Sequence, residues 1–155
     1  MGYFRIGRNI ELSTQAFLET QINANWSGIT VVKGFSQAYK ASLPVIAVRI
    51  ISADHNRLEL GDNTLLSNYK IGIDIFAKSE GQRIDLASFI IDTLKSSWDY
   101  KEYSQSSGNP ELLTSSTTGK ILCVRFTEDN RLDFGEDVDT YDLHRHFISL
   151  DVRKS

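Results

Sequence analysis

The run YKIGIDIFA, residues 69 to 77, narrows the folds open to this chain more than any other stretch. Tyr69, Ile71, Ile73, Ile75 and Ala77 fall on one parity, and Lys70, Gly72 and Asp74 on the other. A period of two places all five apolar side chains on one face of a β-strand, so the chain must build a sheet and cover that face. The preceding run VIAVRII, from Val45, is short and rich in β-branched residues, as suits a strand covered on both faces. Between these two strands stands NRLELGD, residues 56–62. It returns as NRLDFGE, residues 130–136, between the apolar run KILCVRF (120–126) and a last strand, HRHFISLDV, in which Ile148, Leu150 and Val152 share a face.

The larger repeated unit is therefore strand, phrase, strand. Arg57 and Glu59, or Arg131 and Asp133, have one parity, while Leu58 and Leu60, or Leu132 and Phe134, have the other. Such a segment is expected to extend a hairpin with one side buried and one side charged, and Gly61 and Gly135 supply the positive φ that turns the chain back. The repeat reads as hairpin architecture in preference to duplicated chemistry.

Helices are expected in two places. One runs from about Asn9, as cap, to Asn25, with Ile10, Phe17, Ala24, Leu18 and Ile22 on its stripe. The other follows the capping-box pattern Ser79-x-x-Gln82 and carries Ile84, Ala87, Ile91, Leu94 and Trp98 at helical spacing. Gly28 breaks the first helix before a short strand at Ile29–Val32. The segments 33–43 and 104–119 are small and polar and read as surface loops, the second one long.

A length of 155 residues suits one domain, and 41% hydrophobic with 24% charged residues is an ordinary globular composition. A net charge of -3 argues against a partner held by phosphate contacts, so no specific nucleic acid is expected. No stretch has the length of a membrane span, and the first residues lack the apolar segment of a secretory signal. The single cysteine, Cys123, has no disulfide partner in the chain and reads as a small buried hydrophobe. These features fit a protein made in a reducing compartment.

A search for chemistry finds little. His144 and His146 share a face, as two metal ligands would, but no third Cys or His is placed to join them, and His55 stands alone. The acidic run from Glu128 to Asp142 does not follow the calcium-loop spacing, and no phosphate loop, serine elbow or zinc-protease motif occurs. No catalytic residue, cofactor or metal is assigned, and the chain is not expected to be an enzyme. A small metal enzyme using His144, His146 and the acidic hairpin is the rival of another class. A general adaptor domain is a further one.

The order helix, short strand, hairpin, helix, hairpin, with the strand after Pro44, the phrase Arg57-Leu58-Glu59-Leu60-Gly61, the alternating strand Tyr69–Ala77 and the helix after Gln82-Arg83, resembles the tail-terminator (tail-completion) proteins of long-tailed bacteriophages. The resemblance covers roughly residues 9–98 and leaves 104–119 unassigned. It implies a single α+β domain over residues 1–155, with an antiparallel sheet of two β-hairpins packed against two helices. It also implies a virion protein, assembled in the host cytoplasm. Such a protein forms a homohexameric ring on the head-proximal end of the tail tube, ends tube growth and joins the tail to the neck. Its partners would be other copies of itself, the tail-tube protein and a neck or head-completion protein. Arg57, Glu59, Arg131 and Asp133 become candidate contacts to neighbouring subunits or the tube. A head-completion or stopper protein, or a tail-tube subunit, is the nearest alternative.

Overall fold

A computed structural model describes residues 3–61, 63–106, 109–135 and 142–155, with the side chains of 3–4, 35–36, 105–106 and 109–114 outside the description. The elements run α1 (Tyr3–Asn25), β1 (Thr30–Lys33), α2 (Gly34–Ala38), β2 (Val45–Arg57), β3 (Leu65–Phe76), α3 (Glu80–Leu94), β4 (Trp98–Ser106), β5 (Asn109–Leu132) and β6 (Arg145–Lys154). They form an α+β domain with two long helices and one curled, mixed sheet of six strands in the order β1-β2-β3-β6-β5-β4. Both expected hairpins are present, β2–β3 and β5–β6, joined by antiparallel β3–β6 pairing. The purely antiparallel expectation is corrected at one edge, where β1 runs parallel to β2 with Thr30 opposite Val45 and Lys33 opposite Val48.

A second correction concerns residues 104–119. Their described parts, 104–106 and 109–119, are not loop but strand, and belong to a third hairpin in which Tyr103 faces Ser115 and Trp98 faces Ile121. The serines and threonines there alternate with nothing, because the described part from 115 to 118 is solvated on both sides. A strand without a buried face shows no period of two, although threonine is a good strand former.

The alternating run forms as its pattern requires. Ile71, Ile73 and Ile75 are wholly buried on the helix-facing side, with Ile46, Val48, Ile148, Leu150, Val152 and Ile121 beside them. Ile10, Leu18 and Ile22 of α1 and Leu86, Ile90 and Leu94 of α3 close this core. Each such side chain contributes roughly 1.5–3 kcal/mol when fully buried. On the other face the start of β2 and the end of β3 are covered by α2, where Val45, Ala47 and Phe76 pack with Ala38. Val45 to Val48 are thus buried on both faces, but the cover expected over all of VIAVRII fails at its end: Arg49 and Ile50 are half-buried, and Ile51 is exposed with the rest of 51–57.

Two helix readings shift. α1 begins well before Asn9, so Asn9 is not its cap. It is a buried side chain whose amide donates to the Tyr100 hydroxyl at 3.0 Å and whose oxygen accepts from the Tyr103 amide at 3.3 Å. Ala24, expected on the buried stripe, is exposed. In α3 the cap is as expected, with Ser79 accepting from the Gln82 amide at 3.2 Å and Gln82 from the Lys78 amide at 2.8 Å. The buried stripe is Arg83, Leu86, Ala87, Ile90 and Leu94, while Ile84 is half exposed. Trp98 lies beyond the helix, in β4, stacked on Phe17 with its indole N–H donating to Thr14. Contacts of α1 to both β1 and β4, opposite edges of the sheet, show that the sheet curls around this helix.

Candidate functional site

The two copies of the phrase occupy opposite ends of the sheet. Arg57 pairs with Leu65 at one end of β3, and Leu132 pairs with Arg145, which pairs with Phe76 at the other. The eleven residue steps from Leu65 to Phe76 span roughly 35 Å of strand. Arg57 and Glu59 therefore do not share a surface with Arg131 and Asp133, and the four candidate contacts divide into two pairs. At both ends the glycine turns as expected, with φ of 88° at Gly61 and 94° at Gly135. Asp62 and Glu136, which complete the phrase, lie outside the described residues.

At the β2–β3 end, the expectation of one buried side is overturned. Leu58 is 56% exposed and Leu60 fully exposed, beside exposed Arg57 and Glu59. Neither parity of residues 57–60 is covered by a described residue. Arg57 and Glu59 make no ion pair or side-chain hydrogen bond to a described residue.

The β5–β6 end is held on both faces of the sheet. On the helix side, the capped first turn of α3 places Glu80 and Arg83 on one flank. The Arg83 guanidinium, almost wholly buried, donates to Glu80 at 2.5 Å and to Nδ1 of His146. Because arginine can only donate, Nδ1 must be the unprotonated ring nitrogen, and Nε2–H of His146 donates to Asp129. Arg131 reaches Glu80 at 3.8 Å and His144 reaches it at 3.7 Å. The Arg83 hydrogen bond, chiefly, holds the Glu80 carboxyl below the usual range. Asp133 accepts from the Gly135 amide at 3.0 Å and so serves its own turn. His144 precedes β6 and His146 lies within it, both toward α3. The arginine occupies the lone pair that a metal would need, and no group of three His, Cys, Asp or Glu fit for a metal occurs among the described residues.

On the open face of the same end, Asp74 is 1% exposed between two arginines: Arg49 Nε at 3.1 Å and Arg145 Nη2 at 3.2 Å. Burial pushes the Asp74 carboxyl above its ordinary range, outweighing the two guanidiniums. Arg145 also donates to Asp142 at 2.9 Å, which accepts from the Tyr39 hydroxyl at 2.8 Å. Its guanidinium lies 4.2 Å from the Phe76 ring centre and 5.4 Å from that of Phe134, while Arg49 sits 5.6 Å from Phe147. Tyr39, Arg49, Asp74, Arg145, Phe134 and Phe147, with Leu132, line a cavity of about 400 Å³. Reading by residue type missed this site, although an aspartate inside an isoleucine-rich strand, paired with Ala47 and so diagonal to Arg49 in VIAVRII, was a signal for it.

Cys123 is half-buried against the core, and burial with the nearby Asp151 pushes its thiol up, which suits a packing role. Among the described residues no helix is long and apolar enough to cross a membrane. No protein-family model matches the sequence, and no curated protein matches it.

Proposed function

We propose that this chain is a structural subunit of a phage tail, closing into a ring at the head-proximal end of the tail tube, ending tube growth and offering the neck a docking surface. The observation that carries the reading is the polarity of the sheet. One end presents an uncovered turn with two exposed leucines, an arginine and a glutamate, and the other a cavity beside ion pairs among the described residues. A subunit between two different neighbours needs two different ends, and head-to-tail contacts that close by rotation give rings. The resemblance in residues 9–98 supplies the identity of the assembly, and the α+β layout with both hairpins in one sheet agrees with it.

The same polarity would serve a tube subunit, whose contacts do not close. Native mass by light scattering across a range of concentrations separates them. A discrete species near 105 kDa, six times the 17.5 kDa chain, is the expected outcome. Open filaments would move the reading to a tube subunit. A monomer that also fails to bind preformed tube ends would remove it. Charge reversal, Glu59→Lys, is expected to weaken assembly while leaving the melting curve in place, because charges at such rims set register and encounter.

A further inference from the structure

We infer that α1 is an edge guard: its polar side chains occupy the outer backbone groups of β4 and close that edge of the sheet to the matching strand of a second copy. This goes beyond the ring reading and does not depend on it.

β4 ends the strand order, so its outer N–H and C=O groups face no described strand. A row of such groups is a template for pairing with another chain. Lys101 and Tyr103 lie opposite Thr117 and Ser115 of β5 and, being two apart, turn their outer groups the same way. Ser13 accepts from the Lys101 amide at 2.9 Å, and its hydroxyl reaches the Lys101 carbonyl at 3.4 Å. Asn9 accepts from the Tyr103 amide at 3.3 Å, and Arg8 donates to the Tyr103 carbonyl at 2.5 Å. Both donors and both acceptors are thus taken by side chains of one helix.

The fit is geometric. Asn9 and Ser13 are four residues apart, a rise of about 6 Å along a helix, close to the roughly 6.6 Å that two residues span along a strand. Further along α1, Thr14 and Phe17 meet Trp98, so the helix runs antiparallel to β4 and keeps step with it. A helix that had only to pack would carry apolar residues at both steps, as α1 does at Ile10, Leu18 and Ile22. Asn9 and Ser13 are instead polar and almost wholly buried, which is unfavourable unless they are bonded. On the other flank Glu11 serves β2 in the same manner, accepting from the Ile50 amide beyond the end of β1.

The test is the full chain with Asn9→Ala and Ser13→Ala together, its folding established by circular dichroism melts. Alanine is the better helix former at both positions, so α1 itself is not weakened by propensity. Two bared β4 edges can pair about a two-fold axis, so light scattering is expected to show a mean mass about twofold or more above that of the unaltered chain at the same concentration. Adding Lys101→Pro removes an outer N–H from the edge and is expected to return the mass to the unaltered value. If the double variant fails to melt cooperatively, Ser13→Ala alone takes its place. If Lys101→Pro prevents folding, Tyr103→Pro does the same work at the other amide. A folded variant with the mass profile of the unaltered chain would overturn the guard. So would added association that proline leaves untouched, since the contact would then lie elsewhere.

Discussion

NRLELG and NRLDFG differ by two conservative exchanges, yet the two ends they build share little beyond the turn. In the first copy Arg57 and Glu59 engage no described side chain, and Leu58 and Leu60 face solvent. In the second, Arg131 reaches Glu80, Asp133 caps its own turn, Leu132 is half-buried, and Phe134 lies over Arg145. The phrase fixes the glycine turn; the neighbours fix everything else. The second copy lies beside α3 and near the buried Asp74, while the first continues from the exposed residues 51–57 of β2. A sequence repeat is thus evidence of repeated local geometry and says nothing of repeated function.

The contrast can be broken at its strongest point by Asp74→Ala. It removes the shared partner of Arg49 and Arg145 inside the protein, and a loss of about 3–5 kcal/mol in urea unfolding is expected. A loss under 1 kcal/mol would mean that the β5–β6 end is not held from the open face. Next in size is Arg83→Met, which keeps the stem but removes donors to His146 and Glu80, with an expected loss of about 2–3 kcal/mol. The same cluster carries a pH signature. The folded Glu80 pKa is depressed, so its contribution is present above the unfolded value and is lost as pH falls below the ordinary glutamate range. Glu80→Gln should flatten that acid limb. Asp74 has the opposite sign: its raised folded pKa means a contribution present at low pH and lost as pH rises through the folded value.

Smaller and symmetrical effects are expected at the turns. Among the described residues no atom lies within 4 Å of where an alanine Cβ would stand at Gly61 or Gly135, so alanine is expected to meet the strain of positive φ, about 1–2 kcal/mol at either site. Unequal losses would show that the turns, too, differ. Smallest of all are Arg57→Ala and Glu59→Ala, expected within about 0.5 kcal/mol of the unaltered chain by thermal melting. A larger loss would place hidden support under the first turn.

Much of the layout was legible because burial imposes periods. Tyr69 to Ala77 alternate because one side meets the helices, and Ser79 with Gln82 marks the start of α3 by a local hydrogen-bond exchange that no distant residue alters. What stayed hidden depends on distant partners. The stripe of α3 runs through Arg83 and not Ile84, because His146, 63 residues away, waits on the sheet to accept from it. Asn9 looks like a helix cap until Tyr100 and Tyr103 are brought against it. The β4–β5 hairpin escaped notice because solvent on both sides leaves no hydrophobic rhythm. Asp74 had the parity of an exposed residue, and only the return of Arg145 on β6 makes it an interior one.

One carboxylate draws a boundary in time. Glu11, buried on α1, accepts from the Ile50 amide at 2.8 Å just where β1 has ended and where the β2–β3 register shifts. It holds that amide as a further residue of β1 would have done. Opening of the Ile50 amide therefore requires displacement of α1, and its hydrogen exchange should follow that of the helix core. The amides beyond it on the open flank of β2 have no such guard and should exchange orders of magnitude sooner. The chain passes from slow to fast opening within a residue or two, at a point set by a helix and not by the strand itself.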